Sequence, residues 1–323
     1  MRNEADMAAT RIKARAAELG FDACGIAEAG NVDPEGRLRD WIAHGYHAGM
    51  DWLARTADLR ADVRLKMPEA RSVVVVARNY YNKRPRNAQA IAPPHAQALI
   101  ARYAWSRDYH RVLLKPLRAL AETIRTMGSA ALPPPYICLD SGPVLERAYA
   151  ARAGIGWIGK NGMVLREDLG SWFFLGVIVT AVELAPDQPV PNRCGACTRC
   201  IGACPTGAIV APGVVDARRC ISYHTIENRG AIPDDIQKRM GERIFGCDIC
   251  QEVCPWNRRT PETTERDFLP RPGLANSDLE DWLSMDEAAF DRLTAGTPLR
   301  RAKYAGIRRN ARIVAQNRAT TRE

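Results

Sequence analysis

The chain has 323 residues, of which 46% are hydrophobic and 26% charged, so it holds apolar mass for two or three packed units and is not a disordered chain. Its net charge of +9 is unevenly placed: residues 292–323 hold nine basic and one acidic side chain, leaving 37 basic and 36 acidic among the first 291. A near-neutral body with a basic tail points either to a polyanionic partner near the C-terminus or to a solvated helix face. The longest apolar run, residues 172–182, falls far short of the ~20 residues a spanning helix needs. The N-terminus shows neither a signal-peptide apolar stretch nor a twin-arginine pair, so a cytoplasmic protein without membrane association is expected.

In chain order, Ala8, Ile12, Ala16 and Leu19 oppose Glu4, Arg11 and Arg15 on an amphipathic first helix. A strand follows at residues 21–27, then helical stretches near 38–44 and 50–59, and a buried β-branched strand at 72–79. A proline-rich connection at 85–94 leads to a strand-like run near 100–104. Residues 108–127 are helical, 136–139 a strand, 142–153 helical and 172–182 a buried strand. This alternation predicts an α/β domain, closed by a linker at 185–193 with three prolines. The cysteine-rich stretch then runs to about residue 256, and the remainder reads as all-helical, with helices at 277–284, 286–293 and 299–317.

Of ten cysteines, Cys24 and Cys138 lie alone in apolar strand-like runs and read as small core residues. The other eight fall between Cys194 and Cys254. Cys194-x2-Cys197-x2-Cys200-x3-Cys204-Pro205 matches the bacterial ferredoxin run, whose tight loop aims three thiolates at one 4Fe–4S cluster and the fourth at a second cluster. Cys247-x2-Cys250-x3-Cys254-Pro255 has one thiolate fewer, and Cys220 can supply it. Crossed ligation then assigns Cys194, Cys197, Cys200 and Cys254 to one cluster and Cys204, Cys220, Cys247 and Cys250 to the other. Structural zinc prefers separated cysteine pairs and fits three consecutive cysteines at this spacing poorly.

Two further motifs are decoys. Gly154-Ile155-Gly156-Trp157-Ile158-Gly159 fits a dinucleotide fingerprint, and with Lys160 and Asn161 nearly a P-loop. Both motifs must follow a strand and open a helix, whereas here a helical segment precedes and a strand-like one follows. The glycines are expected to permit close backbone approach to something large.

The run CLDSGPVLERAYAARAGIGWIGKNGMVL (residues 138–165), GSWFFLGVIVT, CISYHTIENRG (220–230), RYAWSRDYH (102–110) and ADVRL around Arg64 together resemble epoxyqueuosine reductases. The resemblance reaches from the first helix to about residue 317. It implies an α/β cobalamin-binding domain of nitroreductase/flavin-reductase-like α+β sheet type over residues 1–184. A ferredoxin-like module with two 4Fe–4S clusters would span 185–260, and a short basic HEAT-like helical segment 261–323. It further implies reduction of epoxyqueuosine to queuosine at the wobble base of tRNAs for Asp, Asn, His and Tyr, with cobalamin and the two clusters as cofactors. The cluster held by Cys204, Cys220, Cys247 and Cys250 would lie near cobalamin, and the other would accept electrons from a flavodoxin- or ferredoxin-type donor.

Asp140 would be the proton donor, which needs a pKa raised by burial; otherwise it caps a helix beginning at Pro143. Arg64, Tyr103, Asp140, Lys160, Asn161, Val164, Ser222 and Asp248 would contact cobalamin, and Arg300, Arg301, Lys303, Arg308, Arg309 and Arg312 the tRNA phosphates. Asp108-x-His110 resembles part of a cobalt-ligating motif, but Leu113 replaces its glycine, so His110 is read as structural and no His ligand to cobalt is expected. A monomer is expected. A reductive dehalogenase-like cobalamin/iron–sulfur oxidoreductase acting on a small molecule is the alternative.

Overall fold

The computed structural model describes residues 2–83, 97–275 and 277–322. The proline-rich connection expected at 85–94 lies outside the described residues. The first part of the chain forms α1 (Arg2–Glu18), β1 (Ala23–Glu28), the short helices α2 (Arg37–Ala43), α3 (Asp51–Arg55) and α4 (Ala57–Ala61), β2 (Ser72–Asn79) and β3 (Gln97–Ile100). It continues with α5 (Tyr109–Arg125), β4 (Tyr136–Cys138), α6 (Glu146–Arg152), the small hairpin β5 (Trp157–Ile158) and β6 (Val164–Leu165), and β7 (Phe173–Thr180). The predicted strand at 100–104 therefore ends where it was expected to begin, and a 3-10 turn at Arg102–Ala104 takes its place.

Strands β1, β2, β7 and β4 form one sheet in the order β1-β2-β7-β4, with every pairing antiparallel. The alternation of helices and strands holds, but the hydrogen bonding is that of an α+β layer. β2 is apolar from Val73 to Ala77 because both faces of that stretch are covered. Val73, Val75 and Ala77 pack with Tyr149 and Ala150 of α6, while Val74 and Val76 pack with Ile12 of α1 and Leu117 and Leu120 of α5.

The cysteine-rich stretch is built from α7 (Arg199–Ala203), the hairpin β8 (Ile209–Ala211) and β9 (Val214–Val215), α8 (Ile221–Ile226), α9 (Asp234–Gln237), β10 (Arg243–Phe245) and α10 (Ile249–Glu252). The chain ends with β11 (Ser277–Asp278), α11 (Leu279–Ser284), α12 (Glu287–Thr294) and α13 (Lys303–Arg322). These parts are sewn together by β3, which pairs in parallel with β10 and antiparallel with β11. One apolar cluster follows the same seam, joining Trp105, Ile244, Phe245, Trp282, Leu299, Ile307 and Val314.

A second seam is polar and buried. The Ser171 amide donates to Asn257 Oδ1 (2.6 Å), and Asn257 Nδ2 donates to Ser171 Oγ (2.9 Å) and the Gln251 carbonyl (2.7 Å). Gln251 Nε2 in turn donates to the Ser171 carbonyl at 3.1 Å. Gly170 lets the two backbones meet there: its φ is +61°, and a Cβ would sit 2.0 Å from Asn257 Oδ1.

Candidate active site and cluster ligands

None of the ten cysteines is paired in a disulfide. Cys194 and Cys197 lie on the loop that enters α7, and Cys200 lies in α7; Cys204 ends that helix, Cys220 precedes α8, and Cys247, Cys250 and Cys254 flank and occupy α10. The packing of α7 against α10 folds the two runs together. Burial pushes the Cys254 thiol up, and Cys194, Cys200 and Cys197 are the thiols that add to it. Burial raises Cys250 much further, with Cys247, Cys220 and Cys200 as the thiols that add to it, and Cys220 in turn feels Cys204. Cys200 is felt by Cys254 and by Cys250 alike, so the two quartets expected from crossed ligation lie side by side.

The first, outer quartet borders the exposed residues Arg193, Gly195, Ala196 and Arg199, and burial raises the thiols of Cys220, Cys247 and Cys250 in the second, inner quartet. Among the described residues, no three His, Cys, Asp or Glu side chains converge as a single-ion site would demand. Beside the outer quartet, Trp157 packs with Leu165, Cys254, Cys194 and Trp256, and its buried indole N–H has no partner. An orphaned donor of that kind costs about 1–3 kcal/mol, and a cluster sulfur is an acceptor that would satisfy it.

A cavity of about 950 Å³ lies against the C-terminal end of α8, the helix that Cys220 precedes. It is walled by Trp52 and Arg60, by Tyr103, Tyr109 and His110, by residues 140–148, by Ile226 and Glu227 at the end of α8, and by Arg300 and Arg301. Its size lies at the top of the range for ligand sites, and its wall mixes apolar side chains with charged ones, among them Arg60, Asp140, Glu146, Glu227 and Arg301, which suits a broad ring fringed with amides. Tyr103 stands at the back, its hydroxyl pushed up by burial and by the charges of Asp140, Glu227 and Asp248. Its backbone is fixed by the neighbouring Arg102, whose guanidinium lies 4.8–5.1 Å from the rings of Trp105, Trp172 and Tyr81. The Arg102 amide donates to Asp248 Oδ2 at 2.8 Å.

Asp140 lies on the cavity wall with its side chain 64% exposed, so the expected burial is absent from the protein alone. Tyr109 Oη donates to Asp140 Oδ2 at 2.7 Å, and His110 Nε2 lies 3.8 Å from the same oxygen. His110 is held from behind by Asp108, whose carboxylate accepts from its ring Nδ1 and its backbone amide. That bond raises the imidazole's pKa. His110 is therefore part of the cavity wall, a correction to its reading as purely structural. Asp140 does not cap a helix either: α6 begins at Glu146, after Leu145. The bond runs the other way, with the Asp140 amide donating to Glu146 Oε1 at 2.7 Å.

The other residues expected at the cofactor lie outside this wall. Arg64 is exposed and paired with Asp62 at 2.7 Å. Lys160 Nζ donates to the Gly195 carbonyl (2.7 Å) and Asn161 Nδ2 to the Cys250 carbonyl (3.3 Å), so the pair braces the cluster loops. Val164 is buried in the main core, Ser222 lies in α8, and Asp248 is buried beside Arg102. The glycine-rich run makes the β5–β6 hairpin turn. Its close approach is to the chain itself, since a Cβ on Gly156 would meet the Leu165 carbonyl at 2.0 Å.

The basic tail divides into three roles. Arg300 and Arg301 reach the cavity rim, where they pair with Asp291 and Glu227. Lys303 and Arg312 are exposed, and Arg308 donates to Tyr304 Oη at 2.7 Å. Arg309 is a correction: its guanidinium donates to the carbonyls of His224, Asn228 and Gly230, and burial lowers its pKa. It ties α13 to the cysteine-rich stretch and is not a surface cation.

Residues 193–257 match the family model of a 4Fe–4S double cluster binding domain, and residues 60–134 match that of epoxyqueuosine reductase QueG, DUF1730. The epoxyqueuosine reductase of Vibrio cholerae is 43% identical over 96% of this chain and 83% of its own length. That of Synechocystis is 46% identical over 88% of this chain and 96% of its own. The chain belongs to the epoxyqueuosine reductase family. Solved epoxyqueuosine reductases agree in fold. One, bound to an epoxyqueuosine-modified tRNA-Tyr stem loop, superposes with a TM-score of 0.84 at 29% identity, covering 95% of this chain and 80% of that one. Another, from Bacillus subtilis, has its catalytic aspartate loop swung out of the active site; it superposes at 0.82 with 28% identity, covering 95% and 81%.

For an epoxyqueuosine reductase of this sequence, the wall residues that sequence reasoning missed are Arg60, Tyr109, Glu146 and Glu227. Tyr109 lies inside the RYAWSRDYH run and was within reach; Glu146 looks like an ordinary helix-face charge. Among the described residues no helix is long and apolar enough to cross a membrane.

Proposed function

We propose that the protein reduces epoxyqueuosine to queuosine at the wobble position of tRNAs for Asp, Asn, His and Tyr, using cobalamin fed by two 4Fe–4S clusters. The observation that carries this reading is the placement of Asp140 on the wall of a large cavity, one side of which is built by the helix that follows inner-quartet Cys220. Family membership over nearly the whole chain supports it.

Converting an epoxide to an alkene consumes two electrons and two protons and releases the oxygen as water. Clusters pass electrons singly, and a reduced corrin cobalt supplies the organic step when cobalamin is bound. The chain's own contribution is to hold the proton. Asp140 delivers it to the departing oxygen, and Tyr109 Oη aims the carboxyl. Tyr103 and Asp140 are the cavity residues proposed to contact cobalamin; Arg64, Val164, Ser222 and Asp248, outside the wall, are not proposed as contacts, and Lys160 and Asn161 serve the cluster loops.

Cys194, Cys197, Cys200 and Cys254 hold the outer cluster in this reading, and Cys204, Cys220, Cys247 and Cys250 the inner one. Arg300 and Arg301 at the rim, with Lys303, Arg308 and Arg312, meet tRNA phosphates. A nitroreductase/flavin-reductase-like sheet layer over 1–184, a ferredoxin-like module over 185–260 and a HEAT-like segment over 261–323 complete the reading. So do a flavodoxin- or ferredoxin-type donor, a monomeric state and a cytoplasmic location. The test is anaerobic incubation of the cofactor-loaded protein and a low-potential reductant with tRNA carrying epoxyqueuosine. Conversion to queuosine by the wild type, lost in Asp140→Asn, is expected; an unchanged nucleoside with the wild type overturns the reading.

A further inference from the structure

We propose that Glu146 is the positioning residue for Asp140, its carboxylate taking the Asp140 backbone amide and fixing the turn that aims the Asp140 side chain into the cavity. This rests on the function proposed above. Asp140 has a φ of +61°, the left-handed region that a non-glycine residue occupies at a cost of about 1–3 kcal/mol. Such a conformation persists only where its surroundings hold it. Two bonds do so, one on each part of the residue: Tyr109 Oη grips the carboxylate and Glu146 Oε1 the amide, both at 2.7 Å.

The two grips are not equivalent. Tyr109 holds only the end of the side chain, and rotation of the Asp140 backbone to an extended conformation would carry that end away. Glu146 fixes the backbone itself. The same Oε1 accepts a second, weaker bond from Cys138 Sγ at 3.4 Å, so one carboxylate brackets the end of β4, the turn and the start of α6. The bracket is tight: a Cβ on Gly142 would lie 2.5 Å from Cys138 Sγ and 2.6 Å from Tyr136 Oη. The cations nearby are Arg60 and Arg147, and neither forms an ion pair with Glu146 among the described residues; Arg147 Nη1 donates instead to the Gly162 carbonyl. A half-buried carboxylate held by an amide and a thiol, rather than by a salt bridge, acts there as an acceptor.

The acceptor role separates two substitutions. Glu146→Gln keeps a carbonyl oxygen for the amide, whereas Glu146→Ala removes it. In Glu146→Ala the amide of Asp140 should lose its protection in hydrogen exchange, read on peptides spanning residues 138–146, while protection elsewhere and the iron content stay as in the wild type. Turnover of epoxyqueuosine tRNA should fall about ten- to a hundredfold with little change in KM, as expected of a misplaced reacting group. Glu146→Gln should restore protection and most of kcat. Combined with Asp140→Asn, Glu146→Ala should add no further loss.

Wild-type protection of the Asp140 amide in Glu146→Ala would overturn the proposal. So would a Glu146→Gln as impaired as Glu146→Ala, or an additive double variant. The exchange measurement needs no substrate, so it stands or falls separately from the assignment of epoxyqueuosine as substrate.

Discussion

Eight thiols for two clusters come from one stretch, Cys194 to Cys254, whereas the cavity wall is assembled from residues near 52–60, 103–110, 140–148, 226–227 and 297–301. Short loops and short helices fix the thiols relative to one another. The cavity has no such local frame. Asp140 is held in place by Tyr109 from α5 and Glu146 from α6, and its rim by Arg301 paired with Glu227. Iron loading and turnover should therefore be separable by mutation in one direction only. Damage to the wall leaves iron in place, and damage to the inner quartet removes both.

The largest effect expected is from Cys250→Ser or Cys220→Ser, which should remove one cluster, halve the iron and sulfide content and abolish turnover. Full iron content in either variant would break the comparison. Next, Asp140→Asn should lower turnover by about 10²-fold or more with iron content and melting temperature unchanged. Loss of iron in that variant would show that the two regions are not separable.

On the basic tail, reversing Arg300 and Arg312 together to Glu should weaken tRNA binding and reduce the slope of log affinity against log salt, with both clusters retained. The slope should fall by about 0.7–0.9 for each phosphate no longer neutralised. Arg309→Glu should behave differently, lowering stability and loosening α13 because its guanidinium is spent on backbone carbonyls.

A smaller effect concerns pH. Burial raises the Glu146 pKa from 4.5 to about 7, so the folded protein binds this proton more tightly than the unfolded chain does. The stabilisation is complete below pH 4.5 and is lost as pH rises through 7. Glu146→Gln should flatten that part of the stability profile. Asp140, Cys138, Arg147, Arg60, His110, Tyr109 and Tyr136 remain as the neighbouring titrating groups in both proteins. The smallest expected change is in Trp157→Phe, which removes an indole donor beside the outer quartet and should shift one cluster to a lower potential without altering iron content, read by redox titration.

The cysteine groups were legible because a two-residue gap between thiols is itself a geometric instruction. Asp140 was legible through the resemblance alone, since the helix cap read from its local sequence does not form. Glu146 was not: in the helical pattern of 142–153 it looks like a solvated charge, and only the packing of Cys138 and the Asp140 amide against it makes it an interior acceptor. Arg309 was misread for the same reason, since the carbonyls it binds belong to a segment some 80 residues earlier. The strand predicted at 100–104 was displaced because its register is set by β10 and β11, which the local sequence around it does not contain.

The seam made by β3 has a consequence for assembly. Burial keeps the thiols of Cys220, Cys247 and Cys250 protonated in the absence of metal, so iron must displace those protons to bind, and the free energy it gains is available to the fold around it. Because β10, beside Cys247, is hydrogen-bonded to β3, and β3 leads into Tyr103 of the cavity wall, the gain is not confined to the cysteine-rich stretch. Cluster insertion and closure of the cavity become linked equilibria. Protein starved of iron should melt earlier as a whole, and a ligand seated in the cavity should slow the loss of iron to a chelator.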